Sequence, residues 1–449
     1  MEQQPNKFLK WIKTSSTARM MVIGFLSFIL LIPLFFIEDL IKERSQRQES
    51  VTNEISKQWG NEVVIYGPIL KVPYKTFKEK TIIDQKTKKV TTETVEYIKY
   101  AFFFPNKLDI NSQINPEIKK RGIYNTAVFN SKISINGMLD SLDFSEKEVK
   151  EENILWNKSK VILKTTNVKG VNKAIVFNIN NKKYSLSSNG KNRYNNDGYY
   201  TLESSHIPFK KEIKNASFSL ELNVKGSKEI RFVPIGKETT AQITSNWKTA
   251  SFMGEFLPYN PDKISKNGFD AKWKVLDINR PFPQQHFDEI PFLNEFDFGV
   301  NFKIPVDEYQ KSERSAKYGF LVISLTFLLF FLIQTMSKIE MHPFQYLMIG
   351  IALLMFYTLL VSISEHSNFL KAYGIATISV ISLITLYAKS ILKSKRFISF
   401  VAISLTVLYG FIFVIIQLES YALLVGSIGL FIILASVMYV SRKIDWYNS

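Results

Sequence analysis

An adjacent carboxylate and imidazole, Glu365 and His366, follow Ser364 at the end of an apolar run, with Tyr357 two helical turns earlier. At a membrane boundary such a pair could relay protons, bind a cation or act as a pH-sensitive latch. The bland alternative is a polar helix end capping itself at headgroup level. A second cluster, Met341 to Tyr346, opens the same run, with His342 and Gln345 flanking Pro343. Proline suits a first helical turn, where its missing N–H has no partner to lose, so a rigid helix start is the favoured reading. The other histidines, His206 and His286, read as structural or surface residues. There is no phosphate loop, no H-E-x-x-H, no G-x-S-x-G and no dinucleotide fingerprint. With no cysteine, thiolate chemistry, disulfides and cysteine metal sites are excluded. No cofactor or metal is expected.

The elements that must carry these residues are apolar runs. Met20–Ile37, Tyr318–Met336, Phe344–Ile363, Ala372–Ala388, Phe397–Gln417 and Tyr421–Val440 contain no Lys, Arg, Asp or Glu. About 20 apolar residues match the ~30 Å hydrocarbon core of a bilayer, so each reads as a transmembrane helix. Thr377, Ser379, Ser382 and Thr385 dilute the fourth, and suit a face turned toward other helices. The first resembles a signal peptide, but Phe35 to Leu40 offer no small-residue cleavage site, so it reads as an uncleaved anchor, kinked by Pro33.

Cations set the orientation. Lys7, Lys10, Lys13 and Arg19 precede the first span, Lys338 separates the second and third, Lys389, Lys393, Lys395 and Arg396 the fourth and fifth, and Arg442 and Lys443 follow the sixth. The alternate short segments hold only Lys371. Both termini (1–19 and 441–449) are therefore expected in the cytoplasm, and 38–317 on the periplasmic side. Lys42, Arg44, Arg47, Lys311, Arg314 and Lys317 near the membrane cut against this, but long domains translocate largely regardless of charge.

The net charge of +17 invites a nucleic-acid partner. It is too dispersed for one: residues 38–317 carry 45 basic and 35 acidic side chains, interspersed rather than clustered. Anionic lipid or a wall polymer fits better, and solvated lysines serving solubility are the plainer reading. The segment alternates with period two, as in Phe218, Leu220, Leu222 and Val224, and in Phe296, Phe298, Val300, Phe302 and Ile304. Hairpin turns are expected at Lys225–Lys228 and Asn180–Asn181, and an exposed loop over Ser187–Gly198. The fold class expected is a membrane α-helical bundle of six transmembrane helices with a large inserted all-β, sandwich-like periplasmic domain.

Short motifs along the whole chain resemble the CreD family of inner-membrane proteins. They are Leu31-Ile32-Pro33, Ile41-Lys42-Glu43-Arg44, Gly67-Pro68-Ile69-Leu70 with Val72-Pro73, Arg121-Gly122-Ile123-Tyr124, Thr244-Ser245-Asn246-Trp247, Phe252 to Pro258, Arg314 to Tyr318, His342 to Tyr346, Ser364-Glu365-His366 and Ile444-Asp445-Trp446-Tyr447. Glu255 stands where the family pattern has Asp. The resemblance implies an envelope-maintenance role, expressed under a two-component stress system in some bacteria, and supplies no catalytic residues. The expectation is a non-enzymatic protein whose β domain binds an envelope protein or wall component through sheet edges and the loop near Tyr194 and Tyr199. The alternative is a transporter using the five clustered helices, gated by Glu365 and His366. Against it, Gln334 and Gln417 are among the few strongly polar side chains in those spans, where coupled transporters keep ionisable groups near the midplane. An interfacial enzyme would need a nucleophile and base that cannot be assembled. Arg314 and Lys317, with Tyr318, share a helical face and could couple the β domain to the bundle. Oligomeric state stays open.

Overall fold

A computed structural model describes residues 16–83, 90–188, 198–209, 213, 215–302, 304, 308–337, 339–392, 394–418 and 421–442. Its contacts divide into two units, one of residues up to 50 and from 306 onward, the other of 51–305. Lys7, Lys10, Lys13, Lys338, Lys393, Lys443, Tyr194, most of the loop expected over Ser187–Gly198, and the motif at Ile444–Tyr447 lie outside the described residues.

The first helix, α1 (Ser16–Trp59), corrects the reading of its segment. It runs 44 residues, more than twice the expected span, with Pro33 inside it and no break in the helix. At 1.5 Å per residue it measures ~66 Å, about twice the hydrocarbon core of a bilayer. Beyond Ile37 the segment is rich in Glu, Arg and Gln, good helix formers, and meets no breaker until Gly60. Ile41, Val51 and Ile55 stay buried along it. At Gly60 the chain takes φ +149°, and a Cβ there would stand 2.7 Å from the Lys225 carbonyl oxygen.

The helical unit continues with α2 (Glu308–Lys317), α3 (Gly319–Ser337), α4 (Pro343–Ser364), α5 (Phe369–Ile391), α6 (Lys395–Gln417) and α7 (Ala422–Ser441). Six of its helices are long and apolar enough to cross a membrane, matching the six expected spans. The short α2 was not foreseen. It buries Tyr309, Ser312, Ser315 and Ala316 on one face. On α5 the expected packing face holds in part. The buried residues are Phe369, Ala372, Tyr373, Ala376, Val380, Ile384 and Ala388, and the Thr377 and Thr385 hydroxyl oxygens are buried as expected, while Ser379 and Ser382 are exposed. Small side chains such as Ala372, Ala376 and Ala388 let helix backbones approach closely. The bundle core is aromatic: Phe356 packs against Tyr357, Tyr373 and Tyr409 with ring centroids 4.7–5.2 Å apart.

The second unit holds sixteen strands among the described residues, in a nearly closed, sandwich-like β domain. In chain order these are β1 (Val63–Ile83), β2 (Val90–Phe103), β3 (Lys107–Arg121), β4 (Tyr124–Leu139), β5 (Lys160–Thr165), β6 (Val176–Ile179), β7 (Lys182–Ser188), β8 (Tyr200–Ser204), β9 (Ala216–Ser227), β10 (Glu229–Phe232), β11 (Glu238–Ser245), β12 (Ala250–Gly254), β13 (Ile264–Ser265), β14 (Gly268–Leu276), β15 (Gln285–Phe287) and β16 (Phe298–Phe302). The alternation predicted for β9 holds, with Phe218, Leu220, Leu222 and Val224 buried. Asn180 and Asn181 both take left-handed φ and close the β6–β7 hairpin as expected.

The turn at Lys225–Lys228 is not a hairpin. Lys228 takes φ 63°, but β9 pairs with β4 and β6 while β10 runs parallel to β1 and antiparallel to β16. The chain turns a corner between sheets because Ile230 and Phe232 find full burial beside β1, aligned with Val63 and Ile65. A second parallel pair, β3 with β11, also departs from a purely antiparallel reading. Tyr199 is no contact surface: it is buried edge-on to Tyr66, and its hydroxyl bonds the Asn294 side chain.

One element leaves the core. From Lys75 to Ile82 in β1 and Val90 to Tyr100 in β2, the strands pair with each other and carry no buried residue. Phe77, Tyr97, Ile98 and Tyr100 are exposed on this arm.

Candidate functional site

Arg44, the helix α2 and Glu365 meet at one end of the bundle, while His342 and Gln345 lie at the opposite end of α4. Glu365, the residue after α4, is mostly buried; its Oε1 accepts from the Tyr309 hydroxyl at 3.3 Å and lies 3.6 Å from Arg44 Nε. His366 is exposed. Tyr357 sits in the aromatic core, where its buried hydroxyl has no partner among the described residues. Among the described residues no hydrogen bond joins the three side chains; Glu365 ties α1, α2 and α4 together. Sequence reading missed Tyr309 because α2 was unrecognised, and missed Arg44 as a partner because 321 residues of chain separate it from Glu365.

The same short helix satisfies two other helix ends. Glu308 Oε2 accepts the Phe369 N–H at 2.8 Å at the start of α5, and Arg314 Nη2 donates at 3.0 Å to the Leu418 carbonyl at the end of α6. Lys311 Nζ adds a 3.2 Å bond to the Gln417 amide oxygen. An anion at a helix N-terminus and a cation at a C-terminus both complement the backbone dipoles. Lys317 does not join Arg314. It pairs with Glu313 one turn back on its own helix, at 3.0 Å.

At the start of α4, His342 Nδ1 accepts the Phe344 N–H, and Gln345 Oε1 accepts the His342 N–H at 2.9 Å. These are capping bonds at a proline-opened helix, the bland reading of that cluster. Gln334 is likewise structural: its amide oxygen accepts the Tyr346 hydroxyl at 2.8 Å.

In the β unit a cleft of about 140 Å³ opens at the root of the arm, lined by Lys71, Lys158, Lys160, His206, Ile98 and Tyr100. The buried Glu203 holds Lys71 at 3.0 Å and Lys160 at 3.1 Å. Burial pushes the Glu203 carboxyl up, but hydrogen bonds and charge from Lys71, then Lys160, outweigh it and hold the group below its usual range. Lys71 also lies 4.3 Å above the Tyr100 ring. Three lysines against one carboxylate leave the cleft cationic, suited to a phosphate or carboxylate group. His286, the remaining histidine, packs on Phe104, and burial lowers its pKa.

A second charged cluster is buried in strand pairing rather than exposed in a cleft. Arg231 lies 2.9 Å from Glu229 and 2.8 Å from Asp297. Burial, against the attraction of Arg231, raises Asp297 to about 6, and Glu229 shifts the same way. A raised folded-state carboxyl pKa means the fold binds that proton more tightly than the unfolded chain. Its stabilisation is complete below the unfolded pKa and is lost as pH rises through about 6. Going from about pH 7.5 to about pH 5, wild type should gain about 1 kcal/mol relative to Asp297→Asn. Thermal unfolding of both full-length proteins at the two pH values checks this, and the comparison cancels the opposing contribution of His286. A constant difference would refute it.

The motif Arg121 to Tyr124 forms the β3–β4 turn, with Gly122 at φ 62°. Arg121 reaches Glu54 at 2.9 Å, and Lys119 covers the Trp59 ring at 4.7 Å, so the turn clasps the last turns of α1.

Comparison with known proteins covers nearly the whole chain. A family model described as inner membrane protein CreD matches residues 15–447. Inner membrane protein CreD of Escherichia coli K12 is 28% identical over 430 residues, covering 93% of this chain and 91% of that protein. Likeness to solved structures is slight. A Legionella pneumophila protein described provisionally as nutrient binding shares 9% identity at a TM-score of 0.22, over 50% of this chain and 77% of that one. An M1 zinc metallopeptidase from Deinococcus radiodurans shares 7% at 0.21, over 48% and 53%. Neither likeness bears on the fold or the activity.

Proposed function

The chain belongs to the CreD family of inner membrane proteins, and from that premise we propose that it is a non-enzymatic protein supporting envelope integrity, whose β unit binds an anionic envelope component or partner protein on the periplasmic side. The carrying observation is the β1–β2 arm. A two-stranded hairpin exposed on both faces is marginal by itself in water, and its open edges and aromatic side chains are what β-strand pairing with a partner uses. Lysines along it, such as Lys75, Lys78 and Lys80, discourage indiscriminate edge pairing. The cationic cleft at its root supplies a second, charge-selective contact. Cytoplasmic termini are supported by Arg19, Lys389, Lys395, Arg396 and Arg442, all on one set of alternate segments.

The test is complementation of a deletion strain, scored for detergent sensitivity at matched protein abundance, with topology reporters on the same proteins. Tyr74 and Lys99 face each other in register, so residues 75–98 can be replaced by an Asn-Gly turn without disturbing the core. Excision should return survival to that of the deletion strain. Glu365→Gln/His366→Ala should rescue as wild type does. Full rescue without the arm would overturn the proposal, and failure of the double variant alone would move the function into the bundle, as a transporter would require.

A further inference from the structure

A groove of about 780 Å³ runs along α3, α6 and α7 in the helical unit. Its walls run from Leu325 to Met336 on α3, from Arg396 to Phe411 on α6, and from Gly429 to Val440 on α7. Met336 and Val440 close their helices where Arg396 opens α6, so all three walls start at one end of the bundle. Eleven residue-to-residue steps along α3 or α7 amount to ~16 Å, about half the ~30 Å hydrocarbon core, so the groove is as deep as one leaflet.

Its shape has a local cause. Gly429 seats against Phe411, where a Cβ would stand 2.1 Å from the ring, so α7 meets α6 closely at the deep end. No residue of α7 is buried, and toward Arg396 the helices leave the slot open. Apart from the hydroxyls of Thr326, Ser404 and Ser436, the lining short of Arg396 is apolar. The mouth is cationic: Arg396 lines it, with Lys395 beside it at the start of α6, while Arg442 after α7 packs over the Tyr439 ring at 4.4 Å, away from the groove. Glu340 at this end is paired with Arg19 at 3.6 Å.

We infer that this groove is a binding site for one acyl chain of an anionic phospholipid, with its phosphate held at the mouth by Arg396. Depth and apolarity select a chain from one leaflet, and Arg396 selects a negative headgroup. A lipid held there completes the packing of α7 and supplies the contacts its own side chains lack.

The full-length protein, reconstituted in phosphatidylcholine vesicles doped with phosphatidylglycerol carrying a photoreactive chain, tests this. Wild type should label at groove positions of α6 and α7, about fivefold more than with photoreactive phosphatidylcholine, the preference one cation near a membrane surface confers. Arg396→Gln, an exposed substitution that leaves the fold intact, should bring the two lipids toward equal labelling, and Arg396→Lys should keep most of the preference. Ser404→Phe with Ile433→Phe, which fills the slot, should remove groove labelling while labelling of exposed positions on α5 persists. Equal labelling by both lipids in wild type would overturn the headgroup assignment. Groove labelling no stronger than on α5, or photo-crosslinks from Ile432 to a second copy, would overturn the lipid site.

Discussion

Trp273→Ala is expected to destabilise the β unit by about 3–5 kcal/mol, as truncation of a fully buried aromatic does. Trp273 in β14 packs against Phe298 at 5.2 Å and Phe252 at 5.9 Å between ring centroids, and its indole N–H donates to the Phe256 carbonyl at 2.9 Å. Phe252 and Phe256 belong to the motif Phe252-Met253-Gly254-Glu255-Phe256-Leu257-Pro258. The motif's geometry suits that contact. Gly254 takes φ +95° with the Asp297 carbonyl oxygen 2.1 Å from where a Cβ would lie, and the Glu255 N–H donates to the same oxygen at 2.9 Å. The chain thus leaves β12 pinned to the strand beside it and crosses Trp273. Because whole domains are stable by only about 5–15 kcal/mol, the loss should show as a lower unfolding midpoint in denaturant and lower abundance in cells. Trp273→Phe keeps most of the burial, and should cost about 1–3 kcal/mol, chiefly the unpaired carbonyl and the smaller ring. A Trp273→Ala protein as stable as wild type would show that the motif holds something else.

Gly350→Leu should detach α1 from the bundle. A Cβ on Gly350 would stand 2.1 Å from Leu30 Cδ1 and 3.1 Å from Phe327 Cζ, and a Cβ on Gly319 would stand 2.7 Å from Leu34 Cδ1. These are small-residue contacts of the kind that hold membrane helices together by packing alone. Gly350→Ala meets the movable end of the Leu30 side chain, so it should be tolerated. A leucine adds three further carbons to a seam that is already closed, and overpacking of that kind costs about 1–3 kcal/mol or expels the neighbour. The chain has no cysteine, so Leu34→Cys with Gly319→Cys gives a clean reporter of the α1 contact. Crosslinking should be efficient in that pair, little changed with Gly350→Ala, and nearly lost with Gly350→Leu. Undiminished crosslinking with Gly350→Leu would mean α1 docks by other contacts.

Local pattern carried a large part of this structure. Six uninterrupted apolar runs were legible as membrane helices because length and hydropathy are properties of a segment alone. Alternation in β9 and the Asn180–Asn181 turn were legible for the same reason. The extension of α1 was less visible, since a polar stretch without Gly or Pro reads equally as helix or as loop until a partner covers one face. Here Arg121 and Lys119 provide that cover from a distant hairpin. The short α2 is too brief to show periodicity, and its helical state rests on capping α5 and α6.

The candidate sites divide along the same line. Residue types and their clustering at segment ends marked Glu365, His366, His342, Gln345, Arg314 and Lys317, and the rigid start of α4 follows from Pro343 in its first turn. Which of them meet was decided by tertiary structure. Glu365 faces Arg44 and Tyr309 rather than His366, and Arg314 closes α6 while Lys317 stays with Glu313. The arm, its cationic cleft and the groove beside α7 were not in the sequence pattern either. A long strand looks the same whether a sheet covers it or not, and a cavity is set by where helices fail to touch. By itself the sequence determined the membrane class, the number of spans and the β character of the inserted domain, because each is a sum over local hydropathy and periodicity. Strand order, the corner at Lys228 and the partners of every charged side chain required the fold, because they depend on which distant surfaces compete for the same neighbour.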